Sequence, residues 1–145
     1  MDPSAAARPT IAILGGTGEQ GPGLAMRWAR AGYPVIIGSR QAEKAQRVAA
    51  ELNERLGAPL VQGLDNAAAA AACDIAAITV PYEAQNALLE SLRDALQGKV
   101  LVDVNVALKP PKVARVFIPP EGSAAEQAQA ILGDGVAVVG AFQNV

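Results

Sequence analysis

Histidine is missing from the 145 residues, and cysteine occurs once, at Cys73. The first absence removes the usual general base at neutral pH and the commonest metal ligand, which excludes Ser-His-Asp chemistry and zinc hydrolysis within this chain. The second excludes an intramolecular disulfide framework. Long apolar runs are also lacking: none approaches the ~20 residues needed to span a bilayer, and Met1 to Pro9 has no apolar core of a secretory signal. A soluble, cytoplasmic protein with no membrane partner is expected. With 12 basic and 14 acidic residues, net charge is −2 and the two signs are interspersed. No basic stripe exists to hold a phosphodiester backbone, so no nucleic-acid partner is expected.

What is present is apolar content of 51%, enough to fill a core in a chain of one-domain size, so residues 1–145 are expected to form one unit. Thr10 to Leu14 is a continuous apolar run closed by Gly15, as in a strand buried on both faces. Pro22 fits a first helical turn, and Leu24, Ala25, Trp28 and Ala29 recur at helical spacing up to Gly32, which suits a C′ position. Val35 to Ile37 predicts a second buried strand ending in Gly38-Ser39-Arg40. Ala45, Val48, Ala49, Leu52 and Leu56 then mark one face of a helix.

The alternation persists. Leu60-Val61 is a weak third strand, and Asp65 can cap the alanine run Ala67 to Ala72. Ile75 to Val80 predicts a fourth strand, and Glu83 to Leu96 a helix with Ala84, Leu88, Leu92 and Ala95 on its apolar face. Val100 to Val102 is a fifth strand. Lys109 to Pro120 holds four prolines and is expected to be irregular. Ser123-x-x-Glu126 has the form of a capping box for a helix to Leu132, and Val136 to Val139 is a sixth strand. Alternating strands and helices predict an α/β fold with a doubly wound, mainly parallel six-stranded Rossmann sheet and helices on both faces. Ligands of such sheets bind beyond the carboxyl ends of the strands.

Between the first strand and first helix stands GGTGEQG, in which Gly16-Thr17-Gly18-Glu19-Gln20-Gly21 fits G-x-G-x-x-G in the context that dinucleotide binding demands. Gly16 is expected to make the turn, Gly18 to let backbone approach a pyrophosphate, and Gly21 to let helix and strand pack closely. Backbone amides at the helix start would hold the anion, leaving the Glu19 side chain to solvent with no catalytic role. The alternative is a glycine turn with no ligand.

An NAD site commonly has Asp or Glu at the end of the second strand, about 20 residues onward, to hold the ribose 2′-hydroxyl. Here that place is Gly38-Ser39-Arg40, with Lys44 one helical turn further. A hydroxyl and two cations suit the 2′-phosphate of NADP. Alternatively, Ser39 caps the helix while Arg40 and Lys44 belong to its solvated face. Cys73 reads as a small buried hydrophobe. Val80-Pro81-Tyr82 either meets the nicotinamide-side ribose or forms a helix-opening turn. Asp103 and Asn105 either bind ligand or satisfy loop amides. No catalytic side chain and no metal ligand is assigned.

The stretch GGTGEQGPGLAMRWARAGYPVIIGSRQAEKA, with DIAAITVPYEA, LVDVNV, VFIPPEGSAAEQAQAIL and VAVVGAFQNV, closely resembles NADPH-dependent reductases of the deazaflavin coenzyme F420. The resemblance covers nearly the whole chain. It implies hydride exchange between NADP(H) and coenzyme F420, with contacts to the nucleotide from Thr17, Ser39, Arg40 and Lys44, and with Val80 and Pro81 beside the nicotinamide. Family members carry histidine where this chain has Gln143. They also continue into a C-terminal helical domain that helps close the deazaflavin cleft and form a homodimer, whereas this sequence stops at Val145. The expectation is therefore an NADP-binding half that binds nucleotide but transfers hydride poorly by itself. A stand-alone NADP-binding or sensing module is the alternative.

Overall fold

In the computed structural model, residues 7–108 and 115–143 are described. Strand β1 is Ile11–Leu14, helix α1 Gly21–Arg30, β2 Val35–Ser39, α2 Ala42–Leu56, β3 Val61–Asp65 and α3 Asn66–Ala72. They are followed by β4 Ile75–Ile78, α4 Tyr82–Leu92, β5 Val100–Asp103, α5 Ala124–Leu132 and β6 Ala137–Gly140. The strands form one six-stranded sheet in the order β3-β2-β1-β4-β5-β6, and every pairing is parallel. No described helix is long and apolar enough to cross a membrane.

All four residues of β1 and all five of β2 are buried, because helices cover both sides of the sheet. One core lies against α1 and α2, where Leu24, Ala29, Ala49 and Leu52 meet Ile13 and Ile37. The other lies on the opposite face, where α3, α4 and α5 bring Ala69, Leu89 and Leu132 against Leu14, Ile78 and Leu101. Edge strand β6 is more exposed, as its lack of a second neighbour dictates.

The helix ends follow local chemistry. Pro22 occupies the first turn of α1, and Gly32, with φ +88°, sits just beyond its end. Asp65 Oδ1 accepts the Ala68 N–H at 2.9 Å to start α3, and Ser123 Oγ accepts the Glu126 N–H at 3.1 Å to start α5. Lys99 Nζ donates to the Ala70 and Ala71 carbonyls at 2.5 and 2.9 Å, placing a cation on the negative end of α3. Cys73, just past that end, is 4% exposed and behaves as the expected small hydrophobe; burial pushes its thiol pKa up.

Several boundaries differ from the sequence expectation. The third strand starts at Val61 rather than Leu60 and runs on to Asp65; Leu60 is exposed. Its signal was faint because Gly63 stands at its centre, where a Cβ would lie 2.4 Å from the backbone of α2. The fourth strand stops at Ile78, where Thr79 turns its Oγ1 to donate to the Leu14 and Gly15 carbonyls at 3.3 and 3.2 Å. The fourth helix ends at Leu92, and its fully buried side is Gln85, Leu89 and Leu92, continued by Leu96; of the expected face, Leu92 is buried, Leu88 and Ala95 pack at the edge of the core, and Ala84 is exposed. A buried glutamine sets that rotation, and hydrophobic periodicity cannot register it. The sixth strand begins at Ala137, one residue late. Within the expected irregular connection, residues 109–114 lie outside the described residues, and Val116 makes an isolated antiparallel bridge to Leu108.

The contact at Gly63 gives a test. Gly63→Ala should lower unfolding free energy by about 1–3 kcal/mol, because the methyl group forces α2 off β3. Gly57→Ala, where nothing lies within 4 Å and φ is +72°, should show only the backbone cost of about 1–2 kcal/mol. Urea unfolding of the two variants measures both, and an unchanged midpoint for Gly63→Ala would mean that the α2–β3 approach is looser than described.

Candidate functional site

The strand order changes direction between β1 and β4: β2 and β3 lie on one side of β1, and β4, β5 and β6 on the other, and a crevice opens there beyond the strand ends. The loop from β1 to α1 floors it. Gly15 has φ +67°, and a Cβ there would stand 2.1 Å from Val80 Cγ1, so the left-handed turn residue is Gly15 rather than Gly16. Gly16 is a packing glycine: its Cβ would lie 2.7 Å from the Ile13 carbonyl, and its N–H donates to the Gly38 carbonyl at 2.9 Å. Gly21 is tighter still, with a Cβ position 2.4 Å from the Gly16 carbonyl oxygen, as helix-on-loop packing requires. Gly18 is different. It is exposed, and its nearest neighbour to a Cβ position is 3.9 Å away, which leaves room for a ligand to approach the backbone. The Gln20 N-cap of α1 makes no side-chain capping bond, and the first turn contains no acid. Its amides and positive dipole end are therefore available to an anion.

A cavity of about 680 Å³ joins this loop to the ends of β2 and β4. Of the residues expected from sequence, Thr17, Gly18, Ser39, Arg40, Lys44, Val80 and Pro81 line it together. Gly16 and Gly21 lie buried behind the lining, exposed Glu19 stands away from it, and Gln20 serves as the helix N-cap. Ser39 is 5% exposed, and its Oγ accepts the Gln41 N–H at 3.3 Å. It is not the cap of α2: that position is Gln41, which makes no side-chain capping bond. Arg40 and Lys44 are exposed, and neither side chain is engaged by another described residue. No carboxylate belongs to the lining, so two unpaired cations and a hydroxyl meet at the end of β2.

Sequence reasoning missed the opposite wall. Ala84, Ala87, Leu88 and Ser91 lie at helical spacing on the face of α4 that looks into the cavity. The apolar spacing was visible, but it was assigned to the core. Thr79 and Asn66 also line the cavity; Asn66 was masked by the stronger capping signal of Asp65.

At the ends of β4 and β5 is a closed polar network. Asp103 is fully buried; its Oδ2 accepts from Gln85 Nε2 at 2.8 Å and its Oδ1 from the Asn105 N–H at 2.9 Å. Asn105 Nδ2 donates to Gln85 Oε1. Gln143 Nε2 donates to the Asp103 carbonyl at 3.1 Å. Between the two readings open from sequence, Asp103 and Asn105 thus satisfy each other, a loop amide and a helix side chain. Burial raises the Asp103 pKa, opposed by its two hydrogen bonds. Pro81 is the N-cap of α4, so Val80-Pro81-Tyr82 forms a helix-opening turn, of which Val80 and Pro81 are also cavity wall. Tyr82 Oη donates to Gln127 Oε1 at 2.8 Å, tying α4 to α5.

Residues 10–107 match the family model described as "NADP oxidoreductase coenzyme F420-dependent". The chain is 45% identical over 141 residues to an F420-dependent NADP reductase of Methanothermobacter thermautotrophicus, covering 93% of this chain and 61% of that protein. It is 46% identical over 142 residues to the F420-dependent NADP reductase of Methanothermobacter marburgensis, covering 93% and 63%. The chain therefore spans about three-fifths of the length of these curated relatives. Among solved structures, lactate dehydrogenase from Eimeria maxima superposes with a TM-score of 0.64 at 13% identity, over 92% of this chain and 44% of that one, a likeness of fold alone.

The buried network makes stability depend on pH. The folded-state pKa of Asp103 lies above its ordinary value, so its contribution is most favourable below the unfolded pKa and is lost as pH rises through the folded pKa. Gln85→Leu removes a donor from the carboxylate and should raise that pKa further. The variant should lose about 1–3 kcal/mol at pH ~7 and less at pH ~4.5, because Gln85 donates to the charged form. Urea unfolding at both pH values is the measurement; equal losses would mean that Gln85 contributes packing alone.

Proposed function

Because this chain belongs to the coenzyme F420-dependent NADP oxidoreductase family, we propose that residues 1–145 form the NADP-binding Rossmann unit of an enzyme that exchanges a hydride between NADP(H) and the deazaflavin coenzyme F420. The observation that supports it is the meeting of Ser39, Arg40 and Lys44 with the glycine loop in one cavity whose lining has no carboxylate. An acid at that place would repel a 2′-phosphate; the two unpaired cations attract it.

The residues present fit the nucleotide. The open backbone at Gly18, the Thr17 side chain and the uncapped amides of α1 suit the pyrophosphate. Ser39, Arg40 and Lys44 suit the 2′-phosphate, and Ala84, Ala87 and Leu88 give an apolar surface of the kind a purine ring needs. In this reading Val80 and Pro81 border the nicotinamide. When bound, NADPH would supply a hydride to the deazaflavin ring, and the proton that completes the reduced ring can come from solvent, so no side chain need deliver one. The chain's task is to hold the nucleotide in one orientation and keep water from the transfer face. A lack of histidine is compatible with that task. A homodimeric full-length form and a cytoplasmic location complete the proposal.

NADP should bind more tightly than NAD in calorimetry. Arg40→Ala should weaken NADP by roughly 1–3 kcal/mol while leaving NAD almost unchanged; equal losses would assign Arg40 to the fold instead. Gly18→Val should weaken both nucleotides alike, since a branched side chain would fill the open approach to the loop, and retained binding would remove the loop from the site. Stopped-flow mixing of the intact, full-length form with NADPH and oxidised coenzyme F420 tests the reaction through loss of the deazaflavin absorption. Nucleotide binding without that loss would leave a binding module rather than an oxidoreductase.

A further inference from the structure

Asn66 opens α3 and is only 7% exposed. A buried carboxamide brings one carbonyl acceptor and two N–H donors that need partners. Its Oδ1 accepts the Gly15 N–H at 3.1 Å. A backbone N–H can only donate, so the atom facing it is the oxygen, and the side chain has one orientation. The same oxygen lies 2.7 Å from where a Cβ on Gly38 would stand; the glycine at the end of β2 is what lets the carboxamide reach the loop. Nδ2, at the other end, donates to no described residue. Nor is it sealed in the core, since the fully buried side-chain atom without a partner among the described residues is Asn86 Oδ1. Asn66 lines the cavity beside Gly15, Ser39 and Thr79. A pair of N–H donors is thus held in place from behind and left open to the site.

We propose that Asn66 contacts the cofactor, with Nδ2 donating a hydrogen bond to an oxygen of the adenosine-side ribose of NADP. This rests on the assignment of the glycine loop to the pyrophosphate and of Ser39, Arg40 and Lys44 to the 2′-phosphate. Asn66 bridges those two places: Oδ1 touches Gly15 of the loop and abuts Gly38, the neighbour of Ser39. The part of a dinucleotide between its pyrophosphate and its 2′-phosphate is the ribose, whose hydroxyl and ring oxygens are acceptors. NAD has the same ribose, so this contact supports affinity without choosing between the two nucleotides.

Asn66→Asp retains the shape and the acceptor for Gly15, and an acid is favourable in a first helical turn. It removes the donor and turns an acceptor toward the ribose. Calorimetry should show NADP and 2′,5′-ADP each weakened by roughly tenfold or more, with the melting temperature of the unliganded protein within about 4 °C of wild type. In the wild-type protein, the Asn66 side-chain amide resonance should shift on titration with 2′,5′-ADP. Wild-type affinity in Asn66→Asp, or an unmoved Asn66 resonance at saturation, would overturn the contact and leave Asn66 as a loop anchor. Failure of the underlying assignment has a different signature. Equal affinity of the wild-type protein for NADP and NAD, with the Asn66 resonance still shifted by nucleotide, would remove the 2′-phosphate reading while upholding the ribose contact.

Discussion

The chain turns from β1 into α1 through backbone contacts that no side chain could occupy. Cβ positions at Gly16 and Gly21 would lie 2.7 and 2.4 Å from carbonyl oxygens, so strand, loop and helix meet at their main chains. That approach fixes the start of α1 directly over the end of β1 and leaves its first-turn amides uncapped by any side chain. The Gly16 N–H bond to Gly38 then locks the loop to β2, and the Thr79 Oγ1 bond to the Gly15 carbonyl ties it to the end of β4. Because β1 lies between β2 and β4, one loop sets the floor of the crevice on both sides.

On the opposite face of the sheet, two buried carboxamides orient helices that apolar packing alone would leave free to rotate. Asn66 from α3 reaches the glycine loop, and Gln85 from α4 reaches Asp103 at the end of β5. Satisfying a buried polar group is a stricter demand than burying one more methyl group, because the bond has direction and its loss is costly. Directing Gln85 inward turns Ala84, Ala87 and Leu88 toward the cavity. The apolar wall of the site thus follows from a hydrogen bond made by the adjoining face of the same helix.

Recognition is separable from this framework. A sheet of this kind also superposes on a lactate dehydrogenase of 13% sequence identity, so the architecture does not select a chemistry. In the proposed function, selection rests with the few side chains at the end of β2. Arg40 and Lys44 are exposed and spend their charge on no described neighbour, so they add little to the fold and remain free to meet a phosphate. Ser39 is buried beside them and held by the turn into α2.

Sequence alone determined whatever depends on local chemistry. The fully apolar runs of β1 and β2, the Asp65 and Ser123 caps, Gly32 beyond α1 and the parallel α/β alternation were all legible, because each is decided within a few residues. So was the gathering of Thr17, Gly18, Ser39, Arg40 and Lys44, since the motif fixes where the loop and the second strand end lie relative to one another. Tertiary structure decided the rest. Gly63 weakened the signal of β3 because its reason is the backbone of α2, and the left-handed turn fell on Gly15 rather than Gly16 because Val80 crowds it. The face of α4 was misjudged for the same kind of reason. Periodicity counts apolar residues, and only the fold brings Asp103, 18 residues away, to draw Gln85 inside and turn Ala84 and Leu88 toward the cavity.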